Sequence, residues 1–310
     1  MTGAVSVAKI SERPPSSSRR VLAALLGRLA AGCRGVQLAA LILTNWFSSL
    51  RRRLLFQPRA SDIYIASFPR SGTTWLQMVL YQLTTSGEMD FEHISEVSPY
   101  FERSLYRDRD LSHLASPRLF KTHWRWEKFS RTPGRFIYVA RDGMDVLVSF
   151  YEFNRSHEGY ERPFDQFADD FIEGRTLGGS WFEHVRSWRA AADQGSVLWL
   201  TYDELAQDLP GAIRRIAAHC DMPLDPETEA RVLARCSFDF MKAHEARFDH
   251  LTEQLLEQGL RPGRFLRRGH GGQGASALSP AQQERFRDAL QRYGLAARSP
   301  APSSDFVDAA

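Results

Sequence analysis

The stretch between residues 63 and 87 limits most strongly how this chain can fold. A short apolar run, Ile63 to Ser67, leads straight into Ser67-Phe68-Pro69-Arg70-Ser71-Gly72-Thr73-Thr74-Trp75, and a helical pattern then continues from Thr74 to Thr85, closed by Gly87. A strand that turns directly into a helix is half of a parallel crossover. The pattern recurs with strand-like Arg118 to Thr122, Phe136 to Ala140 and Val197 to Thr201, and with helix-like Met144 to Arg155, Ser180 to Ala192 and Leu209 to Cys220. The strands are short, apolar and rich in β-branched or aromatic residues, as strands buried on both faces must be. This alternation predicts an α/β fold, a single domain whose mostly parallel central sheet is flanked by helices on both faces. A last helix is expected from Ser279-Pro280, where Ser caps and Pro suits the first turn, to Tyr293 before Gly294.

Charge divides the chain. Up to residue 60 there are ten Lys or Arg against the single acid Glu12, so with +3 overall the remainder carries −6. The basic excess therefore belongs to an extension and not to the body, unlike the basic face of a nucleic-acid binder. Residues 1–20 are rich in Ser, Pro and Arg and read as disordered; 21–57 read as a basic amphipathic helical extension; 58–295 form the domain; 296–310 read as a disordered tail. The uncharged run Gly35 to Leu50, between Arg34 and Arg51-Arg52-Arg53, is shorter than the roughly 20 residues needed to span a bilayer. It reads equally as an interfacial helix making peripheral membrane contact or as a helix packed on protein, with a targeting signal as a third reading. The three cysteines, Cys33, Cys220 and Cys236, are far apart and lack metal-ligand spacing, so a reduced, cytoplasmic setting without a metal site is expected.

The loop after Ile63–Ser67 points unpaired helix N–H groups and the positive end of a dipole at one spot, which makes an anion site. Gly72 allows close backbone approach, Ser71, Thr73 and Thr74 add hydroxyl donors, and Arg70 adds charge; a plain capped helix start is the bland alternative. It is not a Walker A loop, since GxxxxGK[ST] is absent. The second segment, Arg141-Asp142-Gly143-Met144-Asp145-Val146-Leu147-Val148-Ser149-Phe150-Tyr151, sets Arg141 at a strand's carboxyl end, with Ser149 about two helical turns on.

Together these segments resemble the family of sulfotransferases that use 3′-phosphoadenosine 5′-phosphosulfate, in particular its cytosolic-type members. The first is similar to the family's 5′-phosphosulfate loop and the second to its 3′-phosphate motif. Lys121-Thr122-His123 resembles the family's catalytic segment, Leu200-Thr201-Tyr202-Asp203-Glu204-Leu205 the strand end whose Tyr lies near adenine, and Phe265-Leu266-Arg267-Arg268-Gly269 the late basic clamp. The resemblance spans about residues 58 to 290 and implies a P-loop-like nucleotide fold. It implies sulfuryl transfer to a hydroxyl or amine of a small, partly apolar acceptor, by in-line displacement and without a metal. His123 is then the general base, with Lys121 and Arg70 stabilising charge. Arg70, Ser71, Gly72, Thr73 and Thr74 hold the 5′-phosphate, Trp75, Tyr202 and Phe238 flank adenine, and Arg141, Ser149, Arg267, Arg268 and Gly269 hold the 3′-phosphate. Trp75 also reads as a core residue of its helix, and His123 as a structural histidine.

Three departures stand out. Arg70 occupies a place where many cytosolic members have Lys; it is bulkier and cannot lose its proton. After Gly269 the usual Gly-Asp-Trp-Lys is replaced by His270-Gly271-Gly272-Gln273-Gly274, which reads as a mobile lid. The family's dimer motif is eroded at Ala275 and Pro280, although Ser279 and Glu284 partly fit, so no dimer is inferred. The acceptor walls are expected in Phe91 to Leu114 and Phe153 to Gly178. A P-loop-type kinase and a catalytically inactive nucleotide- or membrane-binding relative are the competing readings; the missing Walker lysine argues against the first and the intact Lys121 and His123 against the second.

Overall fold

The computed structural model describes residues 56–102, 111, 114–157, 159–249, 266, 272 and 274–296. Four strands make one parallel sheet: β1 (Ile63–Ala66), β2 (Leu119–Thr122), β3 (Arg135–Ala140) and β4 (Leu198–Thr201), in the order β2-β1-β3-β4. Ala66 pairs with Thr122 and with Tyr138, and Ala140 with Thr201, so all four carboxyl ends leave the same edge. Each strand alternates faces with period two. Ile63, Ile65, Ile137, Val139 and Leu200 join one apolar cluster. Tyr64 stacks on Phe136 at 4.9 Å and Tyr138 on Trp188 at 5.4 Å, from the intervening positions.

Helices cover both faces. The first cluster is completed by α1 (Thr73–Thr84), which follows β1, and by side chains from later helices described below. The second cluster gathers Phe68 with α2 (Gly143–His157), α3 (Phe164–Ile172) and α4 (Trp181–Asp193). After β4 come α5 (Tyr202–Gln207), α6 (Leu209–His219), α7 (Pro226–Arg235), α8 (Phe238–Ala243), α9 (Gly274–Ala277) and α10 (Pro280–Arg292). Of these, α6 and α7 join the first cluster through Ile213, Ile216 and Val232, and α10 joins the second through Phe286 and Ala289. The starts are fixed locally by side-chain caps: Ser180 accepts from the Glu183 amide, Asp225 from Thr228, and Thr201 with Glu204 and Ser279 with Gln282 form reciprocal capping boxes.

The four strands and five helices read from sequence are present, with ends displaced by one or two residues. The segment 153–178 differs: it contains α3, whose Phe167 and Phe171 are buried in the second cluster instead of lining an acceptor wall. The spacing of Phe164, Phe167 and Phe171 is a helical stripe, and burying it on α2 is what removes those rings from solvent. Phe91 and Phe101 are likewise interior. At the sheet's amino edge, buried Asp62 accepts from Arg118 Nε and Nη2 at 2.8 and 2.7 Å and from the Arg59 amide at 2.8 Å, tying β1 to β2. The expectations for 1–20, 21–57 and 296–310 lie outside the described residues, apart from Phe56, Gln57 and Ala296. No helix among the described residues is long and apolar enough to cross a membrane.

Candidate active site

With β1 flanked by β2 on one side and β3 on the other, the crossover from β1 to β2 and the one from β2 to β3 run in opposite directions across the sheet, and the crevice at the carboxyl ends there is where open α/β sheets bind ligands. Each strand end delivers a residue singled out from the sequence: the Arg70 loop from β1, Lys121 and His123 from β2, Arg141 from β3, Tyr202 from β4.

The loop between β1 and α1 is held in an unusual backbone shape, with φ of 70° at Arg70 and 103° at Gly72. A Cβ on Gly72 would stand 2.9 Å from Tyr202 Cδ2, so the glycine is what lets the Tyr202 ring close over the loop. Ser67 and Thr73 share a 2.5 Å hydroxyl contact that pins the two ends of the loop. Ser71 is buried, and among the described residues its Oγ has no hydrogen-bond partner. The same holds for Arg141 Nε, while Arg141 Nη1 donates to the Arg70 carbonyl at 3.0 Å and the guanidinium lies 4.4 Å over the Tyr202 ring. Buried donors without acceptors are costly in a native protein and fit an anionic ligand that supplies the acceptors. Arg70 Nε donates to Ser149 Oγ at 3.4 Å, and its guanidinium lies 4.8 Å over Phe153. The first and second motifs are thus joined directly.

Trp75 donates its indole N–H to the Cys236 carbonyl at 2.8 Å and meets Tyr202 edge-on at 5.7 Å. Phe238, two residues beyond Cys236, opens α8 and is 36% exposed. Trp75, Tyr202 and the start of α8 are therefore grouped on one side of the loop. Arg267, Arg268 and Gly269 lie outside the described residues. Just beyond them, the amides of Gly272 and Gly274 donate to the two Asp145 oxygens at 2.6 and 2.7 Å. A Cβ on Gly274 would collide with the Met144 and Asp145 backbone, so that glycine allows the close approach to the start of α2; of the segment expected to form a mobile lid, residues 270, 271 and 273 lie outside the described residues.

The end of β2 is held from three directions. His123 Nδ1–H donates to the Ser67 carbonyl at 2.7 Å, which sets the tautomer with the basic lone pair on Nε2. The His123 amide donates to Glu102 Oε1 at 2.7 Å, and the His123 carbonyl accepts from His184 Nε2 at 3.0 Å. Tyr138 O–H closes the chain by donating to His184 Nδ1 at 3.0 Å. Burial drives the His184 pKa down to about 3, so this imidazole stays neutral, and burial pushes the Glu102 carboxyl up to about 7. The Tyr100 ring stands edge-on to His123 at 5.3 Å and 5.4 Å from Lys121 Nζ. Sequence reasoning missed Glu102 and His184, because each acts through the backbone of a distant segment and carries no motif of its own. Among the described residues no group of three or more His, Cys, Asp or Glu is arranged to hold a metal.

Residues 60–297 match the family described as the sulfotransferase domain. The chain belongs to the sulfotransferase family. Sulfotransferase 2B1 of Mus musculus is 32% identical over 238 residues, covering 74% of this chain and 70% of that protein. Sulfotransferase 1B1 of Mus musculus is 31% identical over 246 residues, covering 74% and 82%. Among solved structures, retinol dehydratase in complex with androsterone and the inactive cofactor PAP superposes with a TM-score of 0.67 at 22% identity, over 79% of this chain and 84% of that one. Mouse sulfotransferase SULT7A1 complexed with PAP gives a TM-score of 0.61 at 22% identity, over 77% and 86%. At those identities the structures establish the shared fold, while the family assignment rests on the sequence matches.

Proposed function

We propose that this sulfotransferase moves a sulfuryl group from 3′-phosphoadenosine 5′-phosphosulfate to a hydroxyl or amine of a small, partly apolar acceptor, with His123 as general base. The observation that carries the reading is the pair of buried, unpartnered donors, Ser71 Oγ and Arg141 Nε, beside the loop that ends at Gly72. Ser71, Gly72, Thr73, Thr74 and Arg70 would hold the 5′ end of the donor, Trp75, Tyr202 and Phe238 its adenine, and Arg141, Ser149, Arg267, Arg268 and Gly269 its 3′-phosphate. When bound, the donor supplies the transferable sulfuryl group and a phosphate leaving group. His123 Nε2 takes the proton of the acceptor, and the Nδ1–H bond to Ser67 steadies the imidazolium that results. Lys121 and Arg70 set positive charge where negative charge develops in a loose transition state. The structural neighbour retinol dehydratase, in complex with androsterone in one structure and with retinol in another, supports an apolar acceptor, as does the Tyr100 ring beside His123 and Lys121.

Calorimetric titration with 3′-phosphoadenosine 5′-phosphate, AMP and ATP–Mg²⁺ tests the donor assignment. The bisphosphate is expected to bind at least about 2 kcal/mol more tightly than AMP, the size of charge-assisted bonds to one phosphate. Equal binding of the three, or preference for ATP–Mg²⁺, sinks the assignment in favour of a phosphoryl transferase.

A further inference from the structure

Tyr100 pairs with Lys121 in an isolated parallel bridge, and the Lys121 amide donates to the Pro99 carbonyl at 2.9 Å. The chain from Pro99 to Glu102 therefore runs beside β2 and brings the Glu102 side chain over the point where that strand ends. Beyond Thr122 the sheet ladder stops, and the next amide, that of His123, needs an acceptor from elsewhere. Glu102 Oε1 supplies it at 2.7 Å and accepts from Thr122 Oγ1 at 2.9 Å as well. Thr122 Oγ1 in turn accepts from the Trp124 amide at 3.1 Å. Glu102 Oε1 thus holds the His123 amide directly and, through the Thr122 hydroxyl, the Trp124 amide. The carboxyl is 5% exposed, and its second oxygen has no partner among the described residues. Burying an acid in this half-satisfied way is destabilising, so stability alone does not account for it.

We infer that Glu102 is the positioning residue for the base, and that it acts through the reach of Oε1 to the His123 amide. This rests on the reading of His123 as base given above. Its consequence is an order of substitutions that separates reach from charge. Glu102→Gln keeps an sp² oxygen at the same distance and removes the ionisable carboxyl. Glu102→Asp keeps an ionisable carboxyl and withdraws the oxygen by one methylene, about 1.5 Å, enough to let the imidazole swing out of line.

The test compares parent, Glu102→Gln and Glu102→Asp in three measurements: kcat with 3′-phosphoadenosine 5′-phosphosulfate and 4-nitrophenol, affinity for 3′-phosphoadenosine 5′-phosphate, and the His123 imidazole resonances in the complex with the bisphosphate, assigned by their loss in His123→Asn. Glu102→Gln is expected to lose no more than about tenfold in kcat, the effect of one weakened hydrogen bond. Glu102→Asp is expected to lose about 100-fold, as for a reacting group displaced by an ångström. Bisphosphate affinity should hold in both, and the His123 signals should broaden or shift only in Glu102→Asp. An Asp variant as active as the Gln variant, equal losses in both, or bisphosphate affinity falling with kcat would overturn the inference. If the parent transfers to no acceptor, the proposed function fails on its own; the imidazole resonances then decide the role of Glu102, identical spectra in all three proteins refuting it.

Discussion

Replacing Gly72 by alanine perturbs the site at its tightest point. The backbone there has a φ of 103°, and a non-glycine residue forced into left-handed conformation costs about 1–2 kcal/mol. The new methyl would also stand 2.9 Å from Tyr202 Cδ2 and 3.4 Å from Cε2. The ring has little room to retreat, because Trp75 meets it at 5.7 Å and the Arg141 guanidinium covers it at 4.4 Å. Overpacking of this kind adds about 1–3 kcal/mol. The expected loss is then about 2–5 kcal/mol, large against a typical domain stability of about 5–15 kcal/mol. Urea denaturation of parent, Gly72→Ala, Tyr202→Ala and the double variant separates the two parts. The backbone part persists without the ring, whereas the collision disappears, so Gly72→Ala should cost about 1–3 kcal/mol less in the Tyr202→Ala background. Additivity within about 0.5 kcal/mol would refute the claim that the glycine exists to admit the tyrosine.

Asp62→Ala removes the buried carboxylate that pairs with the Arg118 guanidinium at the amino edge of the sheet and should cost about 3–5 kcal/mol in urea denaturation, with bisphosphate affinity unchanged. The Glu102 carboxyl is raised by burial from 4.5 to about 7; its contribution to stability is full below the lower value and lost as pH rises through the upper one. The stability difference between parent and Glu102→Gln should therefore change by up to about 3 kcal/mol between those limits and level off outside them, and parallel pH profiles would contradict the shift. If the basic segment 21–57 is an interfacial helix, full-length protein should float with anionic liposomes more than a chain starting at Ser61; equal flotation would favour the reading of a helix packed on protein.

Much of the site was legible because its chemistry is carried by contiguous strand ends. Ile63–Ala66 and Arg135–Ala140 are apolar runs ending in a charged or glycine-rich turn, and a parallel sheet brings such ends to one edge whatever lies between them. What stayed hidden depends on packing between distant segments. Glu102 looks like one acid among many until Pro99 and Tyr100 align with β2. His184 lies in a helix whose pattern is satisfied without it, and only the fold places its ring between Tyr138 and His123. The helix at Phe164–Ile172 was readable from its phenylalanine spacing, yet three aspartates interleaved with the rings gave it the look of a loop. The short α5 and α8 offer too few turns for periodicity, and their capping residues, Thr201 and Ser237, were the available signal.

The most direct test of the account is transfer of labelled sulfate from 3′-phosphoadenosine 5′-phosphosulfate to a panel of phenols, alcohols and amines, by the parent and by His123→Asn. The account predicts a sulfated product with the parent and a loss of about 100-fold or more with His123→Asn, at the same bisphosphate affinity. Transfer that survives the loss of His123, or a parent that binds the bisphosphate yet sulfates nothing in the panel, would contradict it.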